Sequence, residues 1–121
     1  MESMFAHRSF LDYDIPVAPA SDFTPGPFEP MMALQSMVTR KDSQGRVWGA
    51  SQRISVTDAM RICTMHGAYA SFEEKIKGSL TPGKLADLVV LEKDPHEVDP
   101  DEISAIRVVR TVLGGRDTYE A

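Results

Sequence analysis

The 121-residue chain lacks the features that would support a disulfide, a nucleic-acid surface or a membrane span. A single cysteine, Cys63, excludes an intrachain disulfide and a cysteine-based zinc site. Thirteen basic residues against eighteen acidic ones, with no cationic block, argue against a nucleic-acid partner. The longest apolar runs, at residues 31–34 and 88–91, are far shorter than the roughly 20 residues of a membrane helix.

Two further absences limit the location and the size of the fold. The first residues include Glu2 and show no basic segment followed by an apolar core, so they do not resemble a secretory signal and we expect a cytoplasmic location. A complete (β/α)₈ barrel needs roughly 250 residues. The chain is therefore expected to be one compact domain or a piece of a larger one.

The first half of the chain is expected to be mostly helical. Helical spacing predicts a short helix within residues 3–12, and the apolar run of Ile15, Val17 and Ala18 predicts a buried strand that ends just before Asp22. Residues 23–30 hold three prolines and a glycine and predict a rigid loop. The 3.6-residue periodicity over residues 31–38 then predicts a second helix.

In the second half, a largely buried helix is predicted over residues 56–70, with Ser55 as its N-terminal cap. The composition becomes charged and glycine-rich after Phe72, so we place a domain boundary between residues 1–75 and 76–121. Strands are predicted over residues 86–91 and 108–113, with a helix start at Asp99 between them. Gly114 and Gly115 predict a tight hairpin between the strand at 108–113 and residues 116–119.

Few residues suggest chemistry by their type and spacing alone. The three histidines form no metal-ligand pattern: His66 is interpreted as a structural residue with one satisfied hydrogen bond, and His7 and His96 as surface residues. Cys63 lies on an apolar helix face, which favours an inert thiol. The glycines form no phosphate-binding loop, so a nucleotide site is not supported.

Two aspartates lie next to predicted strands. Asp22 follows a short apolar strand, the position at which α/β barrels keep catalytic groups, although from position alone an Asx turn or a loop cap is the better explanation. Asp87 lies at the start of an apolar strand and is predicted to be a structural acid that accepts hydrogen bonds from turn amides.

Residues 76–91, IKGSLTPGKLADLVVL, closely resemble the G-S-x-x-P-G-K-x-A-D-L-V-V-L segment near the C-terminus of metal-dependent amidohydrolases. The helix at 56–70 resembles the preceding helix of these enzymes, and residues 16–22 resemble their eighth barrel strand with its terminal Ser-Asp. The tail, residues 106–119, is similar to their closing strands. The loop ending at Pro30 and the segment around Trp48 most resemble YtcJ-like members of the family.

The resemblance implies an α/β fold: the last strand and helices of a metal-dependent (β/α)₈ barrel in residues 1–75 and part of the flanking small β-sandwich in residues 76–121. If the barrel register is lost, an α+β arrangement is expected, with a helical layer beside an antiparallel sheet. By the same resemblance, Asp22 is the one catalytic and metal-binding residue of the chain. It would act as general base and acid, and the remaining ligands would lie in preceding chain that is absent here.

The implied function is hydrolysis of a carbon–nitrogen bond other than a peptide bond, in a small amide-type substrate. The implied cofactor is a divalent metal, zinc first with iron and manganese as alternatives, and the isolated chain is expected to be inactive and to bind metal weakly. The alternative is a non-catalytic partner or regulatory chain that keeps this part of the fold. A fragment of a barrel leaves apolar faces and strand edges without partners, so we expect a homo-oligomer or association with the missing N-terminal part.

Overall fold

The computed structural model describes residues 4–24 and 26–121, which form a layer of helices followed by a small antiparallel sheet. None of the helices in this described part is long and apolar enough to cross a membrane. The elements are, in chain order, helices α1 (His7–Asp12) and α2 (Pro30–Thr39), a 3₁₀ turn (Ala50–Gln52), helix α3 (Val56–Arg61), a π-helical turn (Ile62–His66), helix α4 (Gly67–Ala70), strand β1 (Leu88–Leu91), a 3₁₀ helix (Pro100–Ala105) and strands β2 (Val108–Leu113) and β3 (Arg116–Glu120).

The predicted strand around Val17 is wrong as an assigned strand, since residues 15–22 carry no regular secondary structure and have no strand partner among the described residues; residues 15–20 are called the extended segment below. A strand exists only where its backbone pairs with a neighbour, and the local sequence cannot supply one. The segment follows the short helix α1, which begins at His7, later than the periodicity indicated. Residue 3 of that prediction lies outside the described residues.

Helix α2 confirms the prediction for residues 31–38. Pro30 occupies its first turn, where its missing N–H costs no hydrogen bond, and Arg40 ends the helix with a left-handed φ of 59°. Leu34 and Met37 are buried on the predicted apolar face. This face packs against both α3 and the 3₁₀ helix Pro100–Ala105, so α2 lies at the centre of the molecule.

The predicted helix over residues 56–70 is present as α3, the π-helical turn and α4 in continuous succession. The Ser55 hydroxyl accepts a hydrogen bond from the Asp58 amide at 3.1 Å and donates one to its carboxylate at 2.7 Å, which confirms the predicted cap. Ala59 and Ile62 are completely buried. Tyr69, within the helix predicted to be largely buried, is 53% exposed, because the wider π turn changes the angular position of the residues that follow it.

The hydrophobic core joins the helices to the C-terminal part of the chain. Ile103, on the 3₁₀ helix, is completely buried in the same cluster as Leu34, Met37, Ile54, Ala59 and Ile62. The boundary predicted between residues 75 and 76 stays a prediction. Polar contacts add to the packing across it: the Ser104 amide donates to Gln35 Oε1 at 2.7 Å, and Lys41 forms an ion pair with Asp101.

The predicted hairpin is confirmed by β2 and β3, which pair antiparallel, with β1 on the other side of β2. Gly114 and Gly115 have φ values of 57° and 77°, the positive values that a tight two-residue turn requires. The Asp87 carboxylate accepts a hydrogen bond from the Gly114 amide at 2.7 Å, which confirms its predicted structural role. The helix start at Asp99 is also confirmed, since its side chain accepts from the Asp101 amide at the first turn of the 3₁₀ helix.

The loop after α2 is closed by the carboxylate of Asp42. It accepts hydrogen bonds from the indole Nε1 of Trp48 at 2.9 Å, from Arg46 Nε at 2.8 Å and from the backbone amides of Gln44 and Arg46. The Arg46 guanidinium also lies 5.4 Å from the centre of the Trp48 ring. These donors, that of Trp48 first, hold the pKa of Asp42 well below its ordinary value.

Gly78, within the glycine-rich segment that follows α4, permits a close approach between that segment and the helix. A Cβ at this position would lie 2.8 Å from the Ala68 Cβ and 3.2 Å from the Thr64 carbonyl oxygen, and its φ is 91°. Gly83 has nearly the same φ, 93°, with no atom within 4 Å of such a Cβ. Glycine is therefore required at position 78 both for its positive φ and for the space it leaves, whereas at position 83 it is required only for its positive φ.

We predict that Gly78→Ala destabilises the chain more than Gly83→Ala. The positive φ costs an alanine about 1–2 kcal/mol at either position. The clash with Ala68 adds about 1–3 kcal/mol at position 78 alone. Urea unfolding of the two variants measures the difference, and equal losses of stability would contradict the close packing of this segment on the helix.

We predict that Trp48→Phe raises the pKa of Asp42 toward its ordinary value, because the indole donor is lost while those of Arg46 and Gln44 remain. A lowered carboxyl pKa gives stability that is present above the unfolded-state pKa and is lost as pH falls through the folded-state pKa. In the variant the stability lost on acidification should therefore be smaller, and the loss should be complete at a higher pH, while its onset near the unfolded-state pKa is unchanged. Carboxyl-carbon NMR titration of Asp42 measures the pKa shift. The acid unfolding curves of Trp48→Phe are compared with those of the double variant Trp48→Phe/Asp42→Asn, which lacks the carboxylate.

Candidate functional site

The extended segment that leads to Asp22 lies against the helices with one of its sides. Val17 and Pro19 are half-buried, whereas Ala18 and Ala20 between and after them are exposed. This alternation is the pattern of a strand covered on one face, because successive side chains of an extended chain point to opposite sides. Of the residues predicted to form a buried strand, Val17 is half-buried, whereas Ile15 and Ala18 are exposed, and strand partners are not among the described residues.

Asp22 is the one residue that the sequence singled out as catalytic and metal-binding. It is exposed, has a left-handed φ of 53°, and forms no hydrogen bond or ion pair with any other residue in the described ranges. A left-handed conformation is more common for aspartate than for most residues, yet it still carries a conformational cost. The carboxylate is therefore accessible, and no contact of its side chain within these ranges supports the alternative that it is a loop cap.

The loop after Asp22 turns back toward the end of the extended segment. A Cβ on Gly26 would lie 2.8 Å from the Ser21 carbonyl oxygen, so only glycine permits this approach. The Phe23 amide donates to Ser21 Oγ at 3.3 Å, and the rings of Phe23 and Phe28 meet edge to face with their centres 5.7 Å apart. These contacts limit the positions that the backbone on either side of Asp22 can take.

An open cleft of about 730 Å³ runs beside the extended segment. Its walls come from residues 17–20, from the start of α1 and from the end of α2 with the following loop, including Trp48. Asp22 is not among the residues that line it. The cleft therefore borders the backbone that carries Asp22 and does not enclose the carboxylate.

The three histidines lie apart from one another. His96 is exposed as predicted and links Asp94 Oδ1, 2.8 Å from its Nδ1, to Thr57 Oγ1, 3.0 Å from its Nε2, which fastens the turn after β1 to the first turn of α3. The prediction that His7 is a surface residue is wrong: it is half-buried at the cleft. Burial, and then the charge of Arg40, lower the pKa of His7, which favours a neutral imidazole.

His66 confirms its interpretation as a partly buried structural histidine. Its Nδ1 lies 3.1 Å from the carbonyl oxygen and 3.4 Å from the amide nitrogen of Val17, on the extended segment. No pattern in the sequence indicates this partner, which is 49 residues away along the chain. The inert-thiol interpretation of Cys63 also agrees with the structure, since burial raises the pKa of this half-buried thiol.

The part of the chain that the structure describes does not fit a metal site on its own. It contains no group of three or more His, Cys, Asp or Glu side chains placed to hold an ion. A catalytic zinc usually has three protein ligands, and Asp22 can supply one. An exposed carboxylate of this kind can accept or donate a proton, or complete a ligand set whose other members come from elsewhere.

Comparison with solved structures shows the same fold in a longer enzyme. The E. coli guanine deaminase superposes on 94% of this chain with a TM-score of 0.69 and 22% identity, and the match covers 30% of that protein. The helices, the extended segment and the sheet thus recur together as one portion of a larger molecule.

Sequence comparison gives the family. The chain is 31% identical to the amidohydrolase YtcJ of Bacillus subtilis over 99% of its length, and 32% identical to the N-substituted formamide deformylase of Arthrobacter pascens over 97%. It spans 23% and 22% of the lengths of these two relatives. Residues 2–119 match the amidohydrolase family profile, so the chain belongs to the amidohydrolase family.

Proposed function

We propose that this chain is the C-terminal part of a metal-dependent hydrolase that cleaves carbon–nitrogen bonds other than peptide bonds. Asp22 carries the proposal: it is an accessible carboxylate, without a partner in the described ranges, at the end of an extended segment covered on one side only. The family membership supports hydrolysis of this kind, and one of the relatives is named for its action on N-substituted formamides.

The proposed architecture places residues 15–20 as the last strand of a (β/α)₈ barrel. Their exposed side includes the small side chains of Ala18 and Ala20, which leave room for a substrate. Strands of such barrels bring their catalytic groups to the carboxyl ends, and Asp22 follows this segment at that end. In this proposal residues 76–121 form part of the flanking β-sandwich, with β1, β2 and β3 as three of its strands.

Asp22 would act as the general base and acid. Its carboxylate accepts a proton from the water that attacks the amide carbon, and it returns the proton to the nitrogen as the carbon–nitrogen bond breaks. A divalent metal, zinc first among the candidates, would make the water more acidic when bound. Since Asp22 offers at most one ligand, the other ligands would come from protein outside residues 1–121.

In the complete enzyme, which joins this chain to the missing part of the hydrolase, we predict that Asp22→Asn lowers kcat by a factor of about 10² to 10⁴. Asparagine keeps the size of the side chain but cannot accept the proton. Initial rates of hydrolysis of an N-substituted formamide, used as a probe substrate, measure the loss. The 121-residue chain alone should show no turnover.

Asp14→Asn is the matched control for this substitution. Asp14 is also exposed, has a φ of 52° and lies just before the same extended segment, so it resembles Asp22 in conformation and in charge. Its substitution should leave kcat near the wild-type value. Equal activity of the two variants would contradict the role of Asp22 and would favour the alternative of a non-catalytic partner chain.

The exposed apolar side chains support association with another polypeptide. Large apolar residues that belong to different elements are exposed, including Phe28, Leu80 and Val89 at 64%, 77% and 54%. Strand β1 is an uncharged edge strand, whereas the other edge, β3, includes Arg116, Asp117 and Glu120. Charges on an edge strand disfavour pairing with another chain, so β1 is the edge that remains open to pairing.

We predict that the isolated chain forms dimers or larger oligomers at micromolar concentration and that Val89→Lys weakens this association. A lysine on the β1 edge makes pairing with another strand unfavourable. Thr118→Lys, on the charged β3 edge, should change the association little. Sedimentation velocity distinguishes these results, and a monomeric wild-type chain would contradict the expectation.

A further inference from the structure

We propose that His66 is a positioning residue that fixes the backbone leading to Asp22 by binding the peptide groups of Val17. The proposal rests on the proposed function for its catalytic consequence. The contact itself can be tested without any measurement of activity.

The contact joins His66 to Val17, which is 49 residues away, and no sequence pattern predicts that the two residues meet. His66 Nδ1 lies 3.1 Å from the Val17 carbonyl oxygen and 3.4 Å from the Val17 amide nitrogen. An imidazole nitrogen either donates or accepts a hydrogen bond, so Nδ1 binds one of the two groups at a time. When Nδ1 carries the proton it donates to the Val17 carbonyl oxygen, and when it does not it accepts from the Val17 amide.

The helix presents this side chain through its π-helical turn. Ile62–His66 begins at the completely buried Ile62 and ends at His66 itself, so the imidazole projects from an anchored part of the helix. Val17 also packs against the hydrophobic core cluster. The extended segment thus has both an apolar contact and a polar contact to the core of the molecule at the same residue.

The extended segment depends on few other contacts. The Ile15 amide donates to the Phe10 carbonyl oxygen at 2.8 Å at one end, and Asp22 lies at the other end with no hydrogen-bond partner in the described ranges. Among these ranges no strand pairs with the segment. An extended backbone without strand partners is mobile unless other groups bind it, so the His66 contact limits where Ser21 and Asp22 can lie.

Substitutions at position 66 can distinguish the loss of the hydrogen bond to Val17 from a general loss of side-chain packing. The side-chain oxygen and nitrogen of asparagine are as many bonds from the backbone as histidine Nδ1, whereas those of glutamine are as far as Nε2. Asparagine can therefore donate to or accept from Val17, and glutamine places its polar atoms beyond it. His66→Leu removes both possibilities.

Hydrogen–deuterium exchange of the 121-residue chain tests the contact directly. In His66→Leu and His66→Gln, the amides of Ile15 and Val17, which donate hydrogen bonds in the structure, should exchange about fivefold faster, as expected for the loss of one hydrogen bond. His66→Asn should keep the wild-type rates. Thr64→Val, a substitution on the exposed side of the same π turn, serves as the control and should leave these amides unchanged.

Equal exchange rates in the asparagine, glutamine and wild-type proteins would overturn the proposal. If the leucine variant fails to fold, the exchange rates of the asparagine and glutamine variants still decide the question.

In the complete enzyme, His66→Gln should lower kcat about tenfold or more with little change in KM, because Asp22 would be displaced from the reacting atoms. His66→Asn should restore kcat, which a purely structural loss of stability would not give. If Asp22→Asn leaves turnover unchanged, the proposed function fails while the exchange result for His66 stands. If Asp22→Asn abolishes turnover and His66→Gln does not lower kcat, the positioning role fails and the proposed function stands.

Discussion

The burial of Ile62 and Ile103 in one core cluster with Leu34 and Met37 of α2 is the interaction on which the rest of the molecule depends. Both side chains are completely buried, one from the π turn and one from the 3₁₀ helix before β2. Burying one such side chain stabilises the fold by about 1.5–3 kcal/mol. This packing connects the helices to the three-stranded sheet, and the hydrogen bond between Gln35 and Ser104 adds a polar contact beside it.

The same core supports the segment that ends at Asp22. Val17 reaches the core with its side chain and meets His66 with its backbone, while the opposite side of the segment is exposed. Extended backbone needs partners along its edges, and the described part of the chain provides only this lateral support. Guanine deaminase contains the same fold within a chain of which the match covers 30%.

Elements defined by local patterns could be predicted from the sequence. The periodicity of α2, the Ser55 cap and the glycine turn between β2 and β3 all depend on residues close in sequence or on one conformational requirement. The residue type and position of Asp87 predicted a bond to a turn amide, although the amide itself, that of Gly114, is 27 residues away. The strand at Val17 could not be decided in the same way, because strand pairing requires a partner from elsewhere. His7 was misjudged because its burial comes from tertiary packing at the cleft, which sequence polarity does not report. Asp22 was identified by its position and by a family resemblance; its environment, with a left-handed φ and a loop turned back by Gly26, could not be read from the sequence.

The π-helical turn sets the direction of the side chains that follow it. A π turn contains about one residue more than an α-helical turn, so the same residues wound as a regular α-helix would complete more than one turn within Ile62–His66. The regular helix would be the more ordinary structure, but everything after it would rotate by about 100° relative to α3. Ala68 would then leave the contact with Gly78, and the imidazole would turn away from Val17. The extra residue thus sets the phase of the helix, and the least strained form of this helix would be the one that no longer holds the segment carrying Asp22.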